Sequence, residues 1–495
     1  MQRGFPFCKT AFFANGSRSS PANRGLVNFL KPKEVKMVKD SVTFSFFRRR
    51  PSLRRPRQAC VGVLFLFGIL SPGWAKSAAT KESAPVITLE QAYDRALATD
   101  QSIRIAYYEL RKANLQPWSA LTALGPRISA SGGYSRSGGR TSASSLSPAF
   151  NSSSEGRSAG ISLNQPLIDL GVFPAYKLGL LTAKSARLEL LYTVRQILFS
   201  VAQGYYAVLK DQSLVKVDEE SVQLSQDQLD LAQKLFNAGT AARSDVLQAT
   251  ATLEDAKRTL LQDENTLAVD RNTLANALNL ASDNFTVSEP PGAPEKVDAF
   301  DYYLSKAYGL REDYQISKIA VQQDVQLRDE VLAEYAPSVG ASVSNDWNDS
   351  AHSANSSSWN ASVSVSVPIL TGGQREIDLR SAGHNIAESK LQLEQSAKTV
   401  QADVKNTWLQ VQTLRESIKA SQAEVTANEQ NYKDTQTQYQ VGSATSVDVQ
   451  VALRQLNSSK STLTTEIYDY QVSLRDLQRA AGLFESARIM KTKLQ

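Results

Sequence analysis

From Val201 onward, apolar side chains recur at every seventh position: Val201, Val208, Val215, Val222, Leu229 and Phe236. After a segment carrying Gly239 and Asp245, a second ladder begins: Val246, Leu253, Leu260, Leu267 and Leu274. Adding 203 to each number gives Val404, Val411, Ile418, Val425, Tyr432 and Tyr439, then Val449, Leu456, Leu463, Tyr470 and Leu477, all apolar or aromatic. A spacing of seven held over several heptads is a coiled-coil seam. The break between ladders repeats at the same offset, with Gly442 and Asp448 in the second copy. Each half of the chain therefore predicts an antiparallel helical hairpin, with helices at 174–237 and 244–281 and again at 374–440 and 446–482. At 1.5 Å per residue the longest helices reach roughly 95 Å, which no compact monomeric core can cover.

A second periodicity is two. Val339, Ala341 and Val343 alternate with Gly340, Ser342 and Ser344, and Ala361, Val363, Val365, Val367 and Ile369 share one parity with serines between them. These are strands with one apolar and one small-polar face. Ile128, Ala130 and Tyr134, then Ala159, Ile161 and Leu163, form a weaker version in the first half. The predicted β-hairpins span 127–167 and 338–369, joined by polar connectors at 141–155 and 348–358. Pro166 and Pro368 mark the strand-to-helix transitions. Trp347 and Trp359 flank the second connector, where an aromatic girdle or simple sandwich packing would place them. Thr88 with Gln91 has the form of a capping box opening the first helix. The organisation is then a first repeat at 88–288, a Pro-rich linker at 289–297, a second repeat at 298–484 and a tail at 485–495, with 76–87 a flexible mature N-terminus.

Four strands do not close a barrel, since the smallest common outer-membrane barrels have eight. Closure needs several chains. A serine face toward water and a valine face toward lipid suit such a wall.

Composition changes the picture mainly at the front. Residues 1–75 hold 14 of the 55 Lys/Arg and 2 of the 49 Asp/Glu, leaving 41 against 47 in the remainder. The overall charge of +6 thus belongs to a leader, and charge gives no support to a nucleic-acid surface. Arginine clusters at 48–57, an uncharged run at 61–70 and small residues up to Ala75 or Ala79 follow the order of a secretory signal peptide. The run rises about 15 Å, half a bilayer core. Met37 offers an alternative start, which would leave 1–36 untranslated. Both cysteines, Cys8 and Cys60, lie in this leader, and the only histidines are His352 and His384. Disulfide frameworks, thiolate chemistry, His-based triads and multi-His zinc sites are excluded from the body, and no cofactor motif is present. No enzyme activity is expected.

The two-fold repeat, the prolines in Gln165-Pro166-Leu167 and Val367-Pro368-Ile369, and the two turns Phe236-x-x-Gly239-x5-Asp245-Val246 and Tyr439-x-x-Gly442-x5-Asp448-Val449 resemble the outer membrane efflux proteins, the TolC-like exit ducts. The resemblance covers about 88–483. It implies an α+β membrane protein: a homotrimer in which three chains close one outer-membrane β-barrel, continued by a long α-helical coiled-coil barrel across the periplasm. It implies a passive duct of a tripartite efflux or type I secretion system in a Gram-negative bacterium. The implied partners are outer-membrane lipid, a periplasmic adaptor and an inner-membrane efflux pump or ABC exporter that opens the duct at its tip.

The resemblance also assigns residues. Asp448 matches the aspartate lining the tip constriction, Tyr439 the tyrosine that links neighbouring helices, and Ser244 and Asp245 the polar pair receiving those links. Two positions depart from the family pattern: Ala444 stands for an arginine and Val451 for a second aspartate. Arg243 lies close enough in sequence to compensate. Read by themselves, Gly239 and Gly442 are equally helix C-cap glycines, Asp245 and Asp448 first-turn acids, and the histidines solvated residues. The rival reading of the whole is a secreted coiled-coil structural protein, an adhesin or filament subunit.

Overall fold

The computed structural model describes residues 85–141, 150–290, 297–350 and 353–491. The leader with its cysteines, His352 and most of the linker lie outside the described residues.

The chain opens with a short strand β1 (Val86–Ile87) and three helices, α1 (Leu89–Thr99), α2 (Gln101–Ala113) and α3 (Gln116–Thr122). Thr88 caps α1 in a full capping box with Gln91. Strands β2 (Arg127–Thr141) and β3 (Phe150–Ile168) form a hairpin, followed by α4 (Val172–Asn237) and α5 (Arg243–Ala277). After β4 (Thr286–Val287), the series recurs: α6 (Phe300–Leu310), α7 (Glu312–Ala333), hairpin β5 (Ser338–Ser350) and β6 (Ser353–Ser366), then α8 (Gln374–Gln440) and α9 (Ser446–Ala480). A last helix, α10 (Ser486–Lys491), closes the described chain. At 66 and 67 residues, α4 and α8 extend about 100 Å each.

Much of each predicted sevenfold seam faces inward, but toward the end of α4 the buried positions shift to Ser221, Ser225, Gln228 and Ala232, Val222 and Leu229 are half-buried, and Phe236 is 41% exposed. Val201, Val208, Leu253, Leu274, Val404, Val411, Val449 and Leu456 are all buried. Helix α4 lies between α5 and α9, and α8 packs on the far side of α9. Nearer the sheet, α7 packs against both α4 and α8, while α2 and α3 cover another side of α4. The close approach of α3 requires Gly179, where a Cβ would stand 2.7 Å from the backbone nitrogen of Pro117.

Two polar anchors hold the middle. Arg195 and Glu312 form a buried pair at 2.6 Å, both about 6–7% exposed, and the same guanidinium donates to the Phe484 carbonyl. Tyr205, wholly buried, donates toward the carbonyls of Ile87 and Ser288, tying the parallel pair β1–β4 to α4.

Several boundaries shift. The strands run well into the connectors: β3 begins at Phe150, and β5 and β6 include 348–350 and 353–358. Cross-strand pairing extends the ladder through Ser and Asn whose own strand preference is weak. Pro166 lies inside β3 rather than at its end, opposite Gly340, and the register slips between Pro166 and Ile168. A proline supplies no N–H to the ladder, and the slip accommodates it. Pro368 stands two residues beyond the end of β6. Helix α5 stops at Ala277, short of 281, where Asn279 takes a positive φ of 49°. Helix α9 stops at Ala480, just before Gly482 at φ 72°.

Candidate functional site: an open sheet and a helical tip

The sheet has the order β2-β3-β5-β6, antiparallel throughout. Its two outer strands have one unpaired edge each among the described residues. Register fixes the faces. Ile128 pairs with Leu163, which pairs with Val343, which pairs with Ala361. One face therefore collects Ile128, Ile161, Val343, Val363 and Val365, all at least 47% exposed. The other carries Ser129, Ser162, Ser342 and Ser362, with hydroxyl pairs at 2.7 Å and 2.9 Å. An exposed apolar face of this extent on a soluble monomer is unusual and marks a surface meant for lipid or protein.

Trp347 and Trp359 share the apolar face and are well exposed. They do not immediately flank the loop. Trp347 sits opposite Ser357 and Trp359 opposite Asn345, which makes them diagonal neighbours within the strands. Val367 before Pro368, and Ile369 and Leu370 after it, are exposed apolar residues as well.

At the other end of the long helices, the two turns share one construction. The Gly239 N–H donates to the Phe236 carbonyl and the Thr240 N–H to that of Leu235. Gly442 and Ser443 bond to Tyr439 and Gln438 in the same way. These are Schellman caps, and both glycines hold the left-handed conformation, φ 77° and 80°, that a Cβ disfavours. Each following helix starts with an acid folded back on it. Asp245 Oδ2 accepts from the Ala242 N–H at 3.2 Å. Asp448 Oδ2 accepts from both the N–H and hydroxyl of Thr445, at 2.8 Å and 2.7 Å. These bonds hold the Asp448 carboxyl below its ordinary range. The sequence signal for this role of Thr445 is Thr-x-x-Asp ahead of an apolar run.

Tyr439 is buried against Val449, Leu453 and, from the first hairpin, Leu231 and Leu235. Burial raises its hydroxyl first, the charge of Asp245 raises it further, and the Ser446 hydroxyl opposes both. The structure thus brings Tyr439 near Asp245 across the two hairpins of one chain. Ser244, Arg243 and Asp448 are exposed. Among the described residues, neither Arg243 nor Asp448 joins a salt bridge. Ala444 packs with the tip cluster, while Val451 is exposed. His384 is exposed. No group of His, Cys, Asp or Glu among the described residues could hold a metal, and no described helix is long and apolar enough to cross a membrane.

The profile of the outer membrane efflux proteins matches residues 92–280 and 305–483. The chain belongs to the outer membrane efflux protein family. Outer membrane protein TolC of Escherichia coli K12 is 27% identical over 120 residues, 24% of either chain. TolC of Vibrio cholerae El Tor is 25% identical over 154 residues, 30% of this chain and 35% of its own. The aligned stretches thus span about a quarter to a third of these relatives. Solved structures agree over far more. CusC superposes with a TM-score of 0.70 at 18% identity, covering 81% of this chain and 93% of its own. The Campylobacter jejuni outer membrane channel CmeC gives 0.68 at 17% identity, covering 82% and 89%. The family and the fold are thus those of outer membrane channels rather than of enzymes.

Proposed function

We propose that three copies assemble into a passive exit duct: one β-barrel in the outer membrane and one helical barrel reaching into the periplasm. A periplasmic adaptor and an inner-membrane pump or ABC exporter would deliver substrate and open the tip. The observation that carries this reading is the four-stranded sheet with an exposed apolar face and open edges, continuing into helices of about 100 Å. One chain closes neither layer, and several identical chains close both. On this reading 88–288 and 298–484 act as two quasi-equivalent staves, Trp347 and Trp359 as aromatic anchors in the lipid-facing belt, and Pro166 and Pro368 as the region where wall turns into tunnel.

The native mass of protein extracted by detergent from purified outer membranes tests the assembly. Three mature chains give roughly 140 kDa beyond the detergent. A monomer, or a protein missing from the outer membrane, would replace the duct with the secreted coiled-coil alternative.

The tip gate is proposed on the same basis. Three Asp448 carboxylates would form an acidic ring, ionised because Thr445 holds each one's pKa down, and an acidic ring favours cations. Tyr439, Ser244, Asp245 and Arg243 would hold neighbouring helices together around it. With Ala444 and Val451 in place of charged residues, fewer ionic links would keep this gate shut. Asp448→Asn retains an oxygen to accept from Thr445 and removes the charge. Its channels in planar bilayers are expected to show reduced cation preference; unchanged selectivity would remove Asp448 from the constriction.

A further inference from the structure

The seam between α4 and α5 contains two rungs in which acid faces acid. Asp211 and Asp218 stand one heptad apart on α4, and both are more than nine-tenths buried. Across from them on α5 stand Asp270 and Asp263, also one heptad apart and half-buried. In an antiparallel pair the rungs match in reverse order, so Asp211 meets Asp270 and Asp218 meets Asp263, within hydrogen-bonding range. By heptad spacing the next rungs are Ser225 with Ala256 and Ala232 with Ala249, small residues that let the helices approach closely.

Among the described residues, no donor reaches the buried outer oxygens of these rungs. The Oδ2 atoms of Asp211 and Asp218 have no hydrogen-bond partner. The cations nearby are placed elsewhere. Lys210 is the charge that partly offsets Asp211. Lys460 of α9 pairs with Glu220 and Glu429. Arg454 of α9 and Asp255 of α5 line the groove beside Asp218 without bonding it. Arg271, next to Asp270, leaves its Nε without an acceptor. From α9, the Tyr468 hydroxyl is engaged with Ser213 at 2.8 Å.

The second hairpin supplies an internal comparison. At the offset of 203, the rung Asp218–Asp263 becomes Ser421–Glu466. There the serine hydroxyl donates to the carboxylate at 2.6 Å, and Ser417 donates to its other oxygen at 2.6 Å. The rung Asp211–Asp270 becomes Leu414 and Ser473. The second hairpin thus needs no added proton at these rungs. In the first hairpin two facing carboxylates can share a hydrogen bond only if one of them carries a proton.

We propose that Asp211–Asp270 and Asp218–Asp263 are proton-sharing carboxyl pairs that hold α5 against α4 while protonated and release it as the protons leave, making the first hairpin a pH-responsive element of the helical region. The inference rests on this hairpin and stands whether or not the trimeric duct is upheld. Burial first, then the facing acid, raises Asp211 to about 6 and Asp218 to about 7. In a parted hairpin both would return toward the ordinary value of about 4. The packed form then binds more protons, so packing is strongest in acid and weakens as pH rises through about 6 and 7. Since α5 runs from the tip turn, a rise in pH would loosen the helix adjoining Gly239 and Asp245.

Amide hydrogen exchange on the full-length protein in detergent tests this between about pH 5 and pH 8. Rates are corrected for intrinsic exchange, and residues 456–477 of α9 serve as internal reference. Opening of residues 253–274 is expected to increase at least ~10-fold relative to the reference, because one extra proton changes the equilibrium ~10-fold per pH unit. In the variant Asp211→Asn with Asp218→Asn, each amide can donate to its facing carboxylate, and the response should vanish with α5 remaining protected. A flat wild-type response, or an unchanged response in the variant, overturns the proposal. If the variant does not fold, infrared spectroscopy of the wild type decides: a protonated-carboxyl band present near pH 6 and bleached near pH 8 supports the pairs, and its absence near pH 6 overturns them.

Discussion

Arg195→Ala is expected to destabilise the protein by about 3–5 kcal/mol, among the largest effects of any single substitution here. The guanidinium is buried, donates to both carboxylate oxygens of Glu312, and also bonds the carbonyl of Phe484. Three elements meet at this one group: α4, the start of α7 and the turn after α9. Truncation leaves Glu312 charged in a site largely shielded from water, and it also strands the carbonyl. The cost comes from the unpaired carboxylate more than from the lost attraction, because desolvating two ions offsets most of what their pairing gains. Replacing both partners, as in Arg195→Met with Glu312→Leu, should therefore recover much of the loss. Thermal unfolding of the detergent-solubilised variants measures both. A double variant no more stable than Arg195→Ala would show that the Phe484 bond, rather than the ion pair, matters most.

Tyr205→Ala is expected to cost a comparable ~3–5 kcal/mol, from a lost aromatic side chain and the cavity it leaves. Its ring is fully buried in the cluster that joins α1 and α4, stacked edge-on with Tyr206. Its hydroxyl serves Ile87 and Ser288, adding a polar tie to the packing of Ile87 and Val287 of the two short strands in the same cluster. Tyr205→Phe separates the contributions: it keeps the ring and removes the donor, for a loss of about 1–3 kcal/mol. Denaturant unfolding distinguishes the two variants. Equal losses would mean that the hydroxyl carries the whole effect and the ring packs loosely.

The long helices were legible because a helix writes its packing into the sequence at a fixed interval. Val404 and Val411 are buried where the sevenfold ladder placed them, and Gly239 and Gly442 adopt the left-handed conformation that makes glycine informative at a helix end. Strand ends were less legible. Whether Ser353 or Asn348 belongs to a strand depends on the neighbour that completes its hydrogen bonds, and the neighbour is not written locally. For the same reason Pro166 reads in sequence as the end of a strand that continues past it. The acidic rungs left a visible mark, two acids one heptad apart on each helix, but nothing local says that they face each other.

Helical hairpins, the alternating faces of the strands, the two turns between long helices and the family resemblance are all readable from residue order, because each rests on spacing within one element. Tertiary structure alone decided which hairpin lies beside which, that Tyr439 of one comes within reach of Asp245 of the other, and that Arg195 finds Glu312 across 117 residues. It alone set Asp218 against Asp263, with no donor among the described residues for Asp218 Oδ2. Periodicity records which side of a helix is buried. The identity of what it is buried against is a property of the assembled chain, fixed only when distant segments compete for the same surface.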